Sequence, residues 1–444
     1  MSLKQCATLL ILLIIFSLAL NYGVTAKAET TQPSPNLYFG VDVAFGSIAA
    51  TEQLIDNVSS YTNFFVIGCT GNYNLTRLSV ISQYVYSRGL SFIVFTDNPQ
   101  YPSSQWLADA KNNYGSRFLG LYYDDELGGK QLDQADYPLI TPKNIDVAEN
   151  NYTEAANMYV TELNYYLRTG PSAATDSFAY PTEFQLFTSD YALYWYDYQA
   201  GYDTVFAEFT MNYSQAFNID LCRGAATVQN KDWGVMITWK YTQLPYMEAG
   251  PQLYNDMVLA YKNGAKYIIV FDTNENYTQN VLMQSVSPQG QGGQLEAMKQ
   301  FWQYVRVNPR TITPVSGRTA YVLPEDYAYG FRGPQDKIWG VWSNDSLTFN
   351  ILDGLAMVMQ KYGNNVDIIY PGGNQSVASS YNNVIHWNDT ISATPPPSQK
   401  GIFSLFSTNS IYLYAVAASI LVVAVPVIVL KFRNHRAKKP LEVT

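Results

Sequence analysis

Carboxylic acids stand at the ends of short apolar runs in this sequence, where they can do acid–base chemistry. The run 120–123 leads directly into the acids Asp124, Asp125 and Glu126. Another acid, Glu208, lies inside an aromatic-rich run. Buried acids are rare without a partner, so these positions indicate a pocket or a matching cation. Glycoside hydrolysis requires two carboxyl groups beside the scissile bond, one protonated and one ionised. We therefore predict Glu126, Glu208 and Asp125 as the catalytic acids.

These acids also have a structural interpretation. The acids at 124–126 could be solvated loop residues or helix caps, and Glu208 could pair with Arg223 or Lys240. Side chains alternate along a strand, so we expect the first and third acids of the trio to share one side. The second acid is expected to face the other side.

Further polar and aromatic residues stand at or beside the ends of other predicted strands. Flat rings can stack on sugar rings while carboxylates bind hydroxyl groups. The predicted substrate-binding residues are Asp42, Asp97, Asp124, Tyr123, Trp239, Lys240 and Asp272. The long segment 127–144 is a candidate lid or substrate wall.

Histidine is scarce, which narrows the possible chemistry. The chain contains His386 near the predicted stalk and His435 in the C-terminal tail. A Ser-His-Asp or Cys-His catalytic arrangement and a His-rich zinc site are therefore not expected. We predict no metal site and no cofactor.

Short β-branched and aromatic runs alternate with helical stretches, which is typical of a parallel α/β fold. The predicted strands are 37–43, 64–68, 91–96, 118–123, 183–188, 204–209, 233–238 and 266–272. Eight β–α repeats in about 250 residues favour a (β/α)8 TIM barrel, whose strand ends form one mouth. The alternative is a doubly wound open sheet, but residues 42–46 do not match its Gly-rich phosphate-binding fingerprint.

The barrel is predicted to span 36–309 and to precede a small α/β module at 318–372. In this module, strands at 319–323 and 366–370 flank an aromatic stretch and a helix at 347–362. The aromatic residues could extend the cleft, form a separate sugar platform or pack against the barrel.

Both ends of the chain resemble targeting segments. Residues 1–28 combine Lys4, an apolar stretch and small residues in the pattern of a secretory signal peptide. A Pro/Ser-rich stalk at 391–410 leads to the apolar run 411–430, which is long enough to cross a hydrocarbon core of about 30 Å. The basic tail 431–444 favours the cytoplasmic side. We therefore expect a single-pass cell-membrane protein with an extracellular ectodomain.

The net charge of the chain limits the classes of partner that it can bind. The net charge of −9 argues against nucleic acid as a partner.

Beyond the signal peptide, Cys69 and Cys222 could form a disulfide or remain as two buried thiols. The sequence does not indicate an oligomeric state. Candidate glycosylation sequons lie at Asn57, Asn74, Asn151, Asn212, Asn276, Asn344, Asn374 and Asn388.

Four short motifs give the barrel span 36–309 a family resemblance. They are Tyr-Tyr-Asp-Asp-Glu at 122–126, Arg-Gly-Ala-Ala at 223–226, Lys-Asp-Trp-Gly at 231–234 and Gly-Ala-Lys-Tyr at 264–267. In these motifs the chain resembles TIM-barrel glycoside hydrolases. The resemblance implies a glycan or polysaccharide substrate.

The resemblance also implies roles for individual residues. In one retaining clan, the Glu of an Asn-Glu pair ending the fourth strand is the acid/base, which matches Glu126 except that Asp125 replaces the Asn. The clan's nucleophile ends the seventh strand, where this chain has Trp239 and Lys240 instead. Other barrel glycosidases carry the second acid on the sixth strand, and Glu208 satisfies that pattern.

The predicted function is therefore an extracellular, membrane-anchored glycoside hydrolase-like protein that cleaves or recognises glycans through a carboxylate pair at the barrel mouth. One alternative is a non-catalytic carbohydrate-binding cell-surface protein, which the missing seventh-strand acid favours. The other is a calcium-binding envelope structural protein, because the acids at 124–126 supply hard oxygen ligands.

Overall fold

The computed structural model describes residues 36–44, 46–68, 73–98, 101–169, 184–242, 246–272, 282, 293–333 and 335–390. The predicted signal peptide, stalk, membrane span and basic tail lie outside these residues. Within the described part of the chain, no helix combines the length and the apolar character needed to cross a bilayer.

Eight parallel strands form a closed barrel, in which neighbours pair in chain order and β1 pairs with β8. The strands are β1 (Tyr38–Val43), β2 (Phe64–Ile67), β3 (Ser91–Thr96), β4 (Phe118–Tyr123), β5 (Gln185–Asp190), β6 (Thr204–Phe209), β7 (Asp232–Ile237) and β8 (Tyr267–Phe271). This topology confirms the predicted α/β barrel and excludes the open sheet.

The fifth strand lies two residues further along the chain than predicted. The prediction was 183–188, whereas β5 continues to Asp190 because Ser189 and Asp190 still pair with β6. Alternation along the strand then directs Ser189 into the barrel with Phe187 and directs Asp190 outward.

Nine helices accompany the barrel strands in the described residues. They are α1 (Ile48–Val58), α2 (Leu75–Ser87), α3 (Ser104–Tyr114), α4 (Leu127–Asp133), α5 (Tyr152–Thr169), α6 (Tyr194–Ala200), α7 (Gln215–Gln229), α8 (Gly250–Lys262) and α9 (Gln294–Val307). Side chains of Ser47, Asn74 and Ser103 accept N–H groups at the starts of α1, α2 and α3. Such caps satisfy donors that have no partner inside the helix.

The interior of the barrel is a packed core. Its buried side chains are Phe64, Val66, Ile93, Phe95, Tyr122, Phe187, Phe206, Met236, Tyr267 and Ile269. A separate, larger apolar cluster lies between the strands and the surrounding helices. Because the interior is filled, a ligand has access only at an end of the barrel.

A three-stranded parallel sheet follows the barrel, in the order β10-β9-β11. It contains β9 (Thr319–Val322), β10 (Val366–Ile369) and β11 (Asn383–His386), together with helices α10 (Ser346–Tyr362) and α11 (Gln375–Ala378). Strand β11 lies outside the predicted module segment 318–372 and ends at the exposed His386.

The aromatic residues of this C-terminal module are buried. They are Tyr327, Tyr329, Phe331, Trp339 and Trp342. The Trp339 ring lies 4.6 Å from that of Tyr196 on α6 and 5.6 Å from that of Tyr159 on α5. They therefore pack the module against the barrel helices and do not form an exposed sugar platform.

The predicted sequons differ in exposure. The exposed asparagines are Asn57, Asn74, Asn151, Asn212, Asn374 and Asn388. Asn344 is half-buried, and Asn276 lies outside the described residues. Cys222 is a buried free thiol, and Cys69 also lies outside the described residues.

A buried ion cluster joins the C-terminal sheet to α7. The carboxylate of Asp367 on β10 binds Arg223 Nε through Oδ1 and Arg318 Nη1 through Oδ2, each at 2.6 Å. The hydroxyl of Tyr381 donates to Asp367 Oδ2 at 2.7 Å. Asp367 therefore pairs with two buried guanidinium groups, and Asp220, whose Oδ1 lies 3.1 Å from Arg223 Nη2, supplies a second negative charge.

Replacement of Asp367 should destabilise the protein strongly. An Asp367→Ala variant leaves two buried cations without this partner, and we expect its free energy of unfolding to fall by about 3–5 kcal/mol. Urea denaturation checks this. The control is Asp56→Ala, which removes an exposed pair with Arg88 and should change little. Equal effects of the two changes would contradict the interpretation.

Candidate active site

A cavity of about 750 Å³ opens at the carboxyl ends of the barrel strands. Its described lining carries eight carboxyl groups and one cationic side chain, that of Lys130. The acids are Asp42, Asp97, Asp124, Asp125, Glu126, Asp133, Asp136 and Glu208. The aromatic residues are Phe95, Tyr122, Tyr137, Tyr191, Tyr213, Trp239 and Phe271. This mouth cavity has the position at which TIM barrels hold their active sites.

Residues 124–126, here called the acid turn, all line the mouth cavity. Strand β4 ends at Tyr123, and both Asp124 (φ 54°) and Glu126 (φ 58°) have left-handed backbone conformations. The expected alternation of the three acids is therefore wrong, because it holds only within an extended strand. The turn instead brings three carboxyl groups to one cavity.

Hydrogen bonds to both neighbouring strands hold the acid turn in this conformation. The Asp124 N–H donates to the Thr96 carbonyl of β3 at 2.9 Å, and the Glu126 N–H donates to the Ser189 carbonyl of β5 at 2.8 Å. The Thr188 hydroxyl donates to the Asp124 carbonyl at 3.1 Å. These contacts compensate the left-handed backbone, which costs about 1–2 kcal/mol per residue.

The carboxylate of Asp190 fixes the start of α4, directly after the acid turn. It accepts the N–H groups of Gly128 and Gly129, the latter at 2.8 Å. Glycine is needed at both positions: a Cβ would lie 2.7 Å from the Ala192 carbonyl at Gly128 and 2.1 Å from the Tyr191 ring at Gly129. These two glycines therefore allow a close contact between α4 and the end of β5.

Glu208 points into the barrel from β6 and is 3 % exposed. The Ser189 hydroxyl donates to its Oε1 at 2.6 Å, and the Tyr122 hydroxyl lies 2.6 Å from Ser189 Oγ. The second oxygen, Oε2, is buried and makes no hydrogen bond of normal geometry among the described residues. One oxygen of this carboxyl group is thus anchored by Ser189, and the Glu208 side chain also contacts the carboxyl group of Glu126.

Glu126 and Glu208 are close enough for their ionisations to be linked. Burial, and then the charge of Asp125, raise the pKa of Glu126 to about 8, while contact with Glu208 favours its ionised form. Burial, and then the Glu126 charge, raise the pKa of Glu208 well above its usual range. Glu208 therefore holds a proton at neutral pH, and Glu126 gives up its proton first.

Lys130 is the cation that faces the acid turn. Its Nζ donates to Asp125 Oδ1 at 3.2 Å and to the Asp125 carbonyl at 3.0 Å. Burial lowers the pKa of Lys130, but the negative charges of Asp125, Asp124 and Glu126 together have a larger, opposite effect. The pKa of Lys130 is therefore raised overall, and its side chain stays charged. Burial and the Asp125 charge raise the pKa of Asp124 to about 6.

Three of the predicted substrate-binding residues besides Asp124 also lie at the mouth cavity: Asp42, Asp97 and Trp239. Asp42 is buried, and its Oδ1 has no hydrogen-bond partner among the described residues. Burial, with the charges of Asp125 and Asp272, raises the pKa of Asp42 well above its usual range. Asp97 accepts a hydrogen bond from the Tyr73 hydroxyl at 2.7 Å.

The structure places Tyr123, Lys240 and Asp272 away from the cavity lining. Tyr123 follows the inward-facing Tyr122, so its ring lies on the helix side, within the outer apolar cluster. Lys240 Nζ lies 3.9 Å from Asp256 Oδ2 on α8. Asp272 is buried, and its Oδ1 accepts the Leu282 N–H at 2.6 Å.

Ser189, Lys130 and Tyr213 are site residues that the sequence prediction missed. Extension of the fifth strand by two residues would have placed Ser189 inside, because it alternates with Phe187. Lys130 lies four residues after Glu126, a spacing that brings side chains to one face of a helix. No comparable sequence signal identifies Tyr213. The predicted wall segment does contribute to the cavity, through Leu127, Lys130, Asp133, Asp136 and Tyr137.

No group of three or more Asp, Glu, His or Cys side chains in the described residues is arranged to hold a metal ion.

No protein-family model and no curated protein sequence matches this chain. Solved structures with a similar fold include the endo-beta-1,4-mannanase from Thermotoga petrophila, at 8 % identity over 66 % of this chain and 82 % of that one, with a TM-score of 0.40. The GH99 endo-alpha-mannosidase from Bacteriodes thetaiotaomicron gives 11 % identity over 61 % and 97 %, with a TM-score of 0.41. The D-psicose 3-epimerase from Clostridium cellulolyticum H10 gives 9 % identity over 62 % and 100 %, with a TM-score of 0.31.

The carboxyl pair should make stability depend on pH. The pKa of Glu126 rises from 4.5 to about 8 on folding, and that of Glu208 is also raised, so the folded protein binds more protons than the unfolded chain in this interval. The free energy of unfolding should therefore fall as the pH rises from about 4.5 to about 8.

Glu208→Gln should reduce this fall and be more stable than the wild-type protein at the alkaline end, because the amide cannot ionise. Urea denaturation over a pH series measures both effects. The control Glu162→Gln, at an exposed position on α5, should keep the wild-type slope. Parallel pH profiles for Glu208→Gln and the wild-type protein would refute the assignment.

Proposed function

We propose that this protein is a glycoside hydrolase of the cell surface, with Glu208 as the general acid and Glu126 as the partner that ionises first, with a pKa of about 8. The observation that carries the proposal is the linked pair at the mouth cavity, in which burial keeps a proton on Glu208. Two neighbouring carboxyl groups with separated pKa values are the arrangement that acid-assisted cleavage of a glycosidic bond requires.

The anchoring of Glu208 defines which atom donates the proton. Because Oε1 accepts the Ser189 hydroxyl, we place the proton on Oε2. In the proposed step this proton passes to the glycosidic oxygen as the bond to the sugar carbon breaks. Glu126 then acts as the nucleophile or as the base that activates water.

This assignment reverses the roles implied by the family resemblance, which makes Glu126 the acid. Burial favours the reversal, because Glu208 is 3 % exposed while Glu126 is only half-buried. Lys130 also favours the ionised form of Glu126 through its charge. Asp125, which is held by Lys130, then orients substrate at the mouth.

The aromatic residues of the cavity supply the sugar-binding surface in this proposal. The ring centres of Trp239 and Phe271 lie 5.9 Å apart, and those of Tyr191 and Tyr213 are also 5.9 Å apart. Such rings stack on the apolar faces of sugars, while Asp42 and Asp97 offer acceptors to hydroxyl groups.

A non-catalytic glycan-binding protein is the second candidate. The raised pKa of both Glu126 and Glu208 favours it, because a pair that keeps both protons at neutral pH has no ionised partner for catalysis. For the calcium-binding alternative, the described residues contain no group of three or more Asp, Glu, His or Cys side chains arranged to hold a metal ion.

Reducing-end release from a broad glycan panel tests the proposed reaction. We expect the wild-type protein to release reducing ends and Glu208→Gln or Glu126→Gln to lower the rate about 10²- to 10⁴-fold. The matched control Glu162→Gln should retain wild-type activity, since this residue is exposed on α5. Glycan binding without release by the wild-type protein would establish the second candidate instead.

We further propose that the chain is exported by its segment 1–28 and anchored by its segment 411–430, with the barrel outside the cell. The support is the sequence pattern of these segments and the basic tail after them. A chain that ends at residue 410 should be released into the medium, whereas the full chain should sediment with membranes. Immunoblotting of both fractions measures this, and sedimentation of the shortened chain with membranes would refute the anchor.

A further inference from the structure

A second, more open cavity of about 410 Å³ adjoins the mouth cavity. One side is formed by the end of α4 and the other by residues 332, 333, 335–337 and 340 of the C-terminal module. Asp133 and Tyr213 line both cavities, so the two are adjacent at these side chains. We call this second cavity the side groove.

Arg332 builds the junction between the mouth cavity and the side groove. Its Nη1 binds Asp133 Oδ1 at 2.8 Å and its Nη2 binds Asp336 Oδ1 at 2.7 Å. The guanidinium carbon lies 5.4 Å from the centre of the Tyr191 ring and 5.9 Å from that of Tyr213. The Tyr191 hydroxyl donates to Asp133 Oδ2 at 2.8 Å. These contacts hold the rings of Tyr191 and Tyr213 at the boundary between the two cavities.

The lining of the side groove suits a polar, uncharged ligand. Gln335 and Lys337 are exposed at its rim, and Gln134 is half-buried. The two cationic side chains of the lining, Arg332 and Lys337, balance its two carboxylates, Asp133 and Asp336. The groove volume of about 410 Å³ falls within the range of about 300–1,000 Å³ typical of small-molecule sites.

The mouth cavity restricts the charge of the ligand further. The described residues of its lining include eight carboxyl groups and one Lys side chain. This excess of acids disfavours the binding of a polyanionic chain. A neutral sugar chain meets no such penalty and offers hydroxyl groups to the carboxylates and ring faces to the tyrosines.

We infer that the substrate is a neutral oligosaccharide that extends from the mouth cavity across Tyr213 into the side groove, so that the C-terminal module contributes a binding subsite. This inference rests on the proposed glycan-directed function and adds the length and charge class of the ligand. It also gives the C-terminal module a role in substrate selection.

Gly333 offers a way to block the side groove and leave the mouth cavity unchanged. It lines the groove, and a Cβ atom there would have no other atom within 4 Å. Gly333→Trp therefore adds a large side chain to the groove, and its Cβ atom clashes with no described atom. Gly333→Ala is the matched control, because it makes the same backbone change without the bulk. Tyr213→Ala tests the junction independently.

The measurement is calorimetric binding of neutral hexose oligosaccharides, from disaccharide to hexasaccharide, to the full-length protein and its variants. Release of reducing ends from the same sugars is assayed in parallel, and melting temperatures confirm folding. We expect affinity to rise with chain length in the wild-type protein and in Gly333→Ala. Gly333→Trp should lose about tenfold in affinity for the longer sugars, or about 1.4 kcal/mol, and bind the disaccharide as before. Tyr213→Ala should lose affinity for sugars of every length, because Tyr213 lines both cavities.

The outcomes separate this inference from the proposed function. Length-dependent binding that Gly333→Trp abolishes, without release by the wild-type protein, supports the subsite and refutes hydrolysis. Release with the same length profile in the wild-type protein and Gly333→Trp refutes the subsite and leaves hydrolysis intact. Absence of both binding and release for every sugar in the series refutes both proposals.

Discussion

The carboxylate of Asp190 determines where the chemistry of this molecule can take place. From the end of β5 it accepts two N–H groups at the start of α4 and so fixes the acid turn above the barrel interior. The same helix carries Lys130 toward the acids and ends at Asp133, which binds Arg332 of the C-terminal module. One buried interaction therefore sets the positions of Glu126, its neighbouring cation and the passage to the side groove.

The electrostatics of the mouth cavity follow from this placement. The acid turn brings three carboxyl groups toward Glu208 and Asp42, which the alternation of β6 and β1 already directs inward. Burial and mutual repulsion then raise the pKa of Glu126, Glu208 and Asp42, with Lys130 as the opposing charge. Such shifts are typical of functional sites, because a structural core gains nothing from buried acids. The same features make the site suitable for proton transfer to a neutral ligand.

The sequence predicted the barrel because eight β-branched and aromatic runs alternate with helical segments, a pattern that local residue preferences determine. It also predicted the strand-end acids, and alternation with Phe206 explains why Glu208 faces inward. It did not predict that all three acids of the acid turn face one cavity, because hydrogen bonds from distant strands determine the left-handed backbone there. Ser189 was missed because pairing with β6 extends β5 beyond the apolar run. Contacts between residues far apart in the chain determined what the sequence pattern alone did not show.

Whether Glu208 carries a proton at neutral pH is the question on which the account depends, and carbon-13 NMR of protein labelled at the glutamate carboxyl carbons answers it most directly. The resonance that disappears in Glu208→Gln identifies Glu208, and the one that disappears in Glu126→Gln identifies Glu126. The account predicts that the Glu208 signal stays at the position of a protonated carboxyl group through neutral pH, while the Glu126 signal titrates near pH 8. Two signals at the carboxylate position at neutral pH would contradict it, because neither residue could then act as the acid.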